Sequence, residues 1–215
     1  MEENLIEAQY NLKSKSRLTL FYEKNKILIY SFIFLIFIFS AGFFFYLEKK
    51  EKKNIELSES YIDAKVYIEN NQPVKAKEIL TKIIYENNQA YSIMSLFLIL
   101  DKNLINDNVE IISLFDHVLK NNKFEQEVKN LIIFKKILFK SDFASEQELL
   151  NLSKPLLNSN TLWKPHVLML VGDYFLSKKE YKKAREFYEQ ILAIKNLQNE
   201  FYNHAKYQLM LINPK

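Results

Sequence analysis

The sequence predicts an all-α protein in which one N-terminal membrane-spanning helix is followed by a series of helical hairpins. Three observations carry this. Residues 27–47 form an unbroken apolar run. Gly42 and Gly172 are the only glycines and Pro73, Pro155, Pro165 and Pro214 the only prolines, too few for the turns of β-hairpins, sandwiches or barrels. Beyond the run, apolar residues recur at helical spacing between short Asn-rich joints.

At 215 residues, 48% of them hydrophobic and 26% charged, the chain is long enough for one domain plus an accessory segment and too apolar for disorder as its main state. The shortage of glycine removes the Walker A and dinucleotide loops, whose backbone N–H groups must approach a phosphate closely. With no cysteine, a disulfide framework and thiol catalysis are excluded.

The run at 27–47, ILIYSFIFLIFIFSAGFFFYL, holds 21 residues without an ionisable Asp, Glu, Lys, Arg or His. As a helix it spans roughly 31 Å, the thickness of a hydrocarbon core. Fifteen of its residues are Leu, Ile or Phe, each favouring insertion by about 0.3–0.6 kcal/mol near the bilayer centre. Tyr30 and Tyr46 stand near the ends, where amphipathic rings suit the interface. The competing reading is a cleaved signal peptide processed near Ser40 and Gly42. Retention is favoured because the apolar run continues through Phe43, Phe44 and Phe45 after a long leader. No pair of small residues stands four apart and no charge lies within the run, so it reads as an anchor rather than a transport pathway.

Residues 1–26 form the expected cytoplasmic tail. Its Lys13, Lys15, Arg17, Lys24 and Lys26 face Lys49, Lys50, Lys52 and Lys53 on the other flank, a balance too even to fix orientation. A short tail stays inside easily, whereas a C-terminal domain of 168 residues lies beyond the reach of flanking charge, which favours the N-terminus inside. The basic cluster at 13–17 suits anionic headgroups, diluted by Glu2, Glu3 and Glu7.

Residues 48–215 make the helical domain. EKKEKKN at 48–54 contains no helix breaker, so the membrane helix can continue as a charged stalk towards Tyr67. Helices are then expected at 54–70, 73–86, 89–101, 108–120, 124–140, 146–152, 164–178, 180–194 and 199–212. Asp107-x-x-Glu110 and Ser145-x-x-Glu148 fit capping boxes, and Pro73 and Pro165 suit first turns. Val167, Leu170, Val171, Tyr174 and Phe175 form one apolar stripe; Ala184, Phe187, Tyr188, Ile191 and Leu192 form another.

The chain also repeats itself. Tyr67, Ala76, Leu80 and Ile83 align with Phe175, Ala184, Tyr188 and Ile191 at identical spacings of nine, four and three. In a hairpin this pattern packs an aromatic ring against a small residue where the second helix crosses. The C-terminal copy adds Gly172 and Tyr181.

The segment GDYFLSKKEYKKAREFYEQIL at 172–192 resembles a tetratricopeptide repeat. The repeat's Gly, aromatic, Tyr, Ala and aromatic positions fall on Gly172, Phe175, Tyr181, Ala184 and Tyr188, while Ile191 and Asn196 replace its second Ala and closing Pro. The layout of tail, single span and divergent repeat domain resembles the family of tetratricopeptide-like ancillary subunits of the bacterial SecYEG translocon. That resemblance implies a TPR-like α-solenoid, an inner-membrane location with the repeat domain in the periplasm, and as partners the Sec translocon subunits and periplasmic chaperones. It further implies a protein-binding groove on the first helix of the last hairpin, at His166, Met169, Asp173, Leu176 and Ser177. The alternative for this face is packing against neighbouring helices of a compact domain.

No chemistry competes strongly. His117, His166 and His204 are far apart and lack metal-ligand spacing, so no metal or cofactor is expected. Asp173 has no identifiable carboxylate partner for acid–base work, and no Ser sits in a nucleophile elbow. The enzyme alternative would need Asp173 or His166 as acid or base. Residues 48–215 carry 25 Lys and Arg against 22 Asp and Glu, a solvated surface of mixed sign rather than a phosphate groove, so neither nucleic acid nor a small-molecule substrate is expected. Trp163 reads as a core anchor. The functional expectation is a membrane-tethered protein-binding adaptor at the translocon, acting by local concentration. A scaffold for assembly of another envelope or respiratory complex is the alternative.

Overall fold

The computed structural model describes residues 17–212, with side-chain surroundings from Leu20 onward. The tail before Arg17, and with it most of the basic cluster at 13–17, lies outside the described residues. Among those described there is no strand. Helix α1 runs Arg17–Glu69, so the separate helix expected from residue 54 is instead the end of α1. The reason is local: between Gly42 and Pro73 the sequence has neither glycine nor proline to interrupt the hydrogen-bond ladder.

The chain divides into two units, Met1–Glu56 and Leu57–Lys215. In the first, α1 is long and apolar enough to cross a membrane, with a mean hydropathy of 2.5 over its most apolar 18 residues and none of that window buried. The Ser40 hydroxyl donates to the Ile36 carbonyl at 2.8 Å, which satisfies a polar group inside an apolar stretch. Lys52 pairs with Glu48 one turn back at 2.7 Å.

In the second unit, the end of α1 is followed by α2 (Pro73–Tyr85), α3 (Gln89–Asp101), α4 (Asn108–Asn121), α5 (Gln126–Lys140), α6 (Glu146–Leu157), α7 (Lys164–Ser177), α8 (Tyr181–Leu192) and α9 (Asn199–Ile212). From α2 onward, helices joined by three residues, such as α2–α3 and α7–α8, pack on each other, and α9 packs on α8. The Asn joints act through backbone conformation. Asn71, Asn87, Asn103 and Asn196 all take left-handed φ near 50°, where a short carboxamide is tolerated better than other side chains. After α1, the Gln72 N–H donates to Tyr67 O at 2.8 Å and that of Asn71 to Ile68 O at 3.1 Å, a Schellman closure of the helix end. Asn103 and Leu104 close α3 the same way.

The expected caps are present in half. Asp107 accepts from Val109 N–H at 2.8 Å and Ser145 from Glu148 N–H at 3.3 Å. The carboxylates of Glu110 and Glu148 pair instead with Lys77 and Lys140. Helix α6 continues five residues past its expected end, through Pro155. Both Pro155 and Asn151, whose carbonyl loses its donor, are exposed, so water can take the missing bond.

Two apolar cores fill the unit. The first joins Leu57, Ala64, Leu80, Ile84, Leu96, Phe115 and Ile132; the second joins Ile137, Leu149, Val167, Val171, Phe175, Tyr188 and Ala205. Helix α5 contributes to both, through Ile132 and Phe139 to the first and Ile133, Phe134 and Ile137 to the second. A polar latch ties the start of α5 to the segment before α7: Asn130 Nδ2 donates to Thr161 Oγ1 at 3.0 Å, Thr161 to Glu127 Oε2 at 2.8 Å, and Trp163 Nε1 to the Glu127 carbonyl at 3.1 Å.

Candidate protein-binding site

The internal repeat extends into three dimensions. Ala76, Leu80, Ala184, Tyr188 and Ile191 are fully buried, and Ile83 and Phe175 nearly so; Tyr67 is half-buried. Lys75 Nζ lies 5.2 Å from the centre of the Tyr67 ring, and Lys183 Nζ, at the equivalent position, 5.0 Å from that of Phe175. Lys179 has φ 61° where the first copy has Asn71 at 55°. The Glu180 N–H reaches back to Phe175 O at 2.9 Å, as Gln72 does to Tyr67. One backbone device and one cation–ring contact therefore shape both joints.

The copies differ where the helices meet. A Cβ built on Gly172 would stand 2.8 Å from Tyr188 Cε1, so only glycine admits the Tyr188 ring there. Ala64 and Leu80 occupy the corresponding places in the first copy and are both fully buried. Tyr181, in the repeat pattern, is about half exposed.

Around this hairpin stand the residues expected to form a groove. The Asp173 carboxylate accepts from the Tyr188 hydroxyl at 2.6 Å and meets His204 Nε2 of α9 at 3.0 Å, through the same Oδ1. Burial, and then the Asp173 hydrogen bond and charge, push the Tyr188 phenol well above its usual range. The His166 ring lies 4.7 Å from Phe201 of α9, 5.0 Å from Trp163 and 5.5 Å from Phe134 of α5. Burial lowers its basicity, against smaller opposing effects of Leu162 backbone and Glu200. Met169 and Leu176 pack against the second core. Ser177 is exposed, its hydroxyl donating to Tyr174 O at 2.7 Å. Thus His166 and Asp173 are brought to α9, Met169 and Leu176 to the core, and Ser177 to solvent. Trp163 stacks on Phe134 at 5.5 Å and packs against the second core.

Asp173, Tyr188 and His204 share one oxygen but include no nucleophile held by a base, and no group of three or more His, Cys, Asp or Glu among the described residues could hold a metal ion. Two open clefts border the helices. One, of about 400 Å³, is lined by Trp163, His166, Leu197 and Phe201. The other, of about 630 Å³, lies among α3, the α3–α4 joint and α5. Sequence periodicity did not reveal the second, because its walls come from two segments, 97–111 and 135–139, that only tertiary packing brings together.

No family model matches the chain, and no solved structure matches it significantly. Over 185 residues the chain is 29% identical to the ancillary SecYEG translocon subunit of Buchnera aphidicola subsp. Schizaphis graminum (strain Sg), covering 80% of this chain and 90% of that relative. An all-helical chain with one long apolar N-terminal helix is therefore similar, across most of both lengths, to an ancillary SecYEG translocon subunit, and the similarity supports the family that its layout resembles.

Proposed function

We propose that the protein is a membrane-anchored, protein-binding adaptor that works as an ancillary subunit of the Sec translocon. The similarity over 80% of the chain to a translocon ancillary subunit carries this reading. An exposed apolar helix and a body of packed helices are consistent with it. In this reading residues 27–47 of α1 span the inner membrane with the N-terminus in the cytoplasm, and the helical domain works in the periplasm, beside chains that emerge from the translocon and the chaperones that receive them. Tethering raises the local concentration of the domain, so weak contacts suffice. Catalysis has no part in it. His166 and Asp173 contact α9 on the last hairpin.

The test is purification of the full-length protein from membranes in mild detergent, with identification of what accompanies it. Translocon subunits are expected; their absence, with another envelope complex in their place, would replace this assignment by assembly of that complex. Single cysteines at Lys13 and Lys178 report orientation, and labelling of the first from outside the cell would reverse the topology.

A further inference from the structure

The cleft of about 630 Å³ falls within the usual range of binding pockets, about 300–1,000 Å³, and it lies where two helices of the stack stand apart. Helix α7 packs on α5 and α9 packs on α7, whereas α3 and α5 do not approach closely. Helix α5 contributes to both cores, with Ile132 and Phe139 in the first and Ile133, Phe134 and Ile137 in the second, and the gap lies beside the part of it that serves the first. Its walls include Phe97 of α3, Ile105 of the following joint, and Lys135, Leu138 and Phe139 of α5. Leu138 is 40% exposed.

Charge identifies the occupant. Lys135 is half-buried and its Nζ lies 6.0 Å from the centre of the Phe97 ring, yet no carboxylate pairs with it among the described residues. Its neighbours are paired: Lys136 with Asp116 at 2.6 Å and Lys140 with Glu148. The one acidic residue on the cleft wall, Asp101, is held by Lys102 at 3.0 Å. A partly desolvated cation beside apolar surface favours an anion that arrives with its own apolar group.

We infer that this cleft is a docking site for a polypeptide segment that sets an apolar side chain against Phe97, Leu138 and Phe139 and a carboxylate on Lys135. The inference rests on the protein-binding reading above and deepens it by naming the surface and the chemistry of the partner.

The probe is a fluorescein-labelled peptide, Gly-Leu-Phe-Glu-Leu-Leu-Gly, beside a counterpart with Lys in place of Glu. Each is titrated by anisotropy onto the full-length protein in nanodiscs of neutral phosphatidylcholine, with empty nanodiscs subtracted. The Glu peptide is expected to bind about tenfold more tightly than the Lys peptide. Lys135→Glu should invert that order, and Leu138→Ser should weaken both peptides severalfold; unchanged Trp163 emission shows that the variants are folded. Equal affinity for the two peptides, or a preference that survives Lys135→Glu, overturns the inference. So does a dimer of the wild-type protein that Leu138→Ser dissociates, because the occupant is then a second copy. If translocon subunits fail to co-purify while the charge inversion holds, the adaptor assignment falls and the cleft stands; the reverse result removes the cleft alone.

Discussion

Replacing Gly172 by alanine puts a methyl group where the Tyr188 ring already lies. The new Cβ would stand 2.8, 3.1 and 3.2 Å from three ring carbons. The ring cannot step aside cheaply: Tyr188 is fully buried and its hydroxyl is bound to Asp173 at 2.6 Å. Overpacking of this kind costs about 1–3 kcal/mol, and the better helix propensity of alanine returns about 1 kcal/mol. The expected net loss from Gly172→Ala is therefore about 1 kcal/mol. The first copy of the repeat supplies the control, since Ala64 and Leu80 occupy the equivalent places there and both are fully buried. Tyr188→Leu alone should cost about 2 kcal/mol through lost contacts and the hydrogen bond to Asp173. Combined with Gly172→Ala it should cost at least about 1 kcal/mol less than the sum of the two. Urea titration of the full-length protein in detergent, followed by Trp163 emission, measures all three. A stabilised Gly172→Ala protein, or additivity of the two changes within about 0.5 kcal/mol, refutes the steric argument.

Three other outcomes follow from the same hairpin. The Tyr188 phenol is raised by burial and by Asp173, so the unfolded chain loses that proton first; the stability it contributes is full below about pH 10 and falls by about 1.4 kcal/mol per pH unit above it. Tyr188→Phe should show a shallower loss in alkaline urea titrations. His166 has the opposite sense: burial lowers its affinity for a proton, the unfolded state protonates first, and stability falls as pH drops below about 6.5. Thermal unfolding at pH 7 and pH 5 should show a larger decrease for the wild-type protein than for His166→Phe. Lys179 occupies a left-handed φ of 61° while exposed to solvent, so Lys179→Gly should raise stability by about 0.5–1 kcal/mol in the same urea assay.

Local signals were readable in the sequence, and long-range ones were not. Helix positions followed from apolar spacing and Asn joints, and Asn71, Asn87 and Asn103 do close helices in the left-handed conformation. At Asn121-Asn122 the same signal marks a helix end without that conformation: Asn122 is extended, with φ −118°. Pro155 misled because a proline on an exposed helix face does not end the helix when water replaces the lost donor. The offset relating Phe175 to Tyr67 would, if extended three residues, have matched Gly172 to Ala64 and so shown that the first copy has alanine where the second has glycine. Nothing in local spacing joins Asp173 to His204, Glu127 to Thr161, or Phe97 to Lys135, because each contact is made by tertiary packing over thirty residues or more.

The account depends on residues 27–47 remaining in the bilayer and carrying the helical domain with them. Alkaline carbonate extraction of native membranes, with mass measurement of the extracted chain, tests this most directly. The expected result is a chain of full length in the washed membrane pellet. A chain shortened near Ser40 or Gly42 and recovered in the soluble fraction would contradict it.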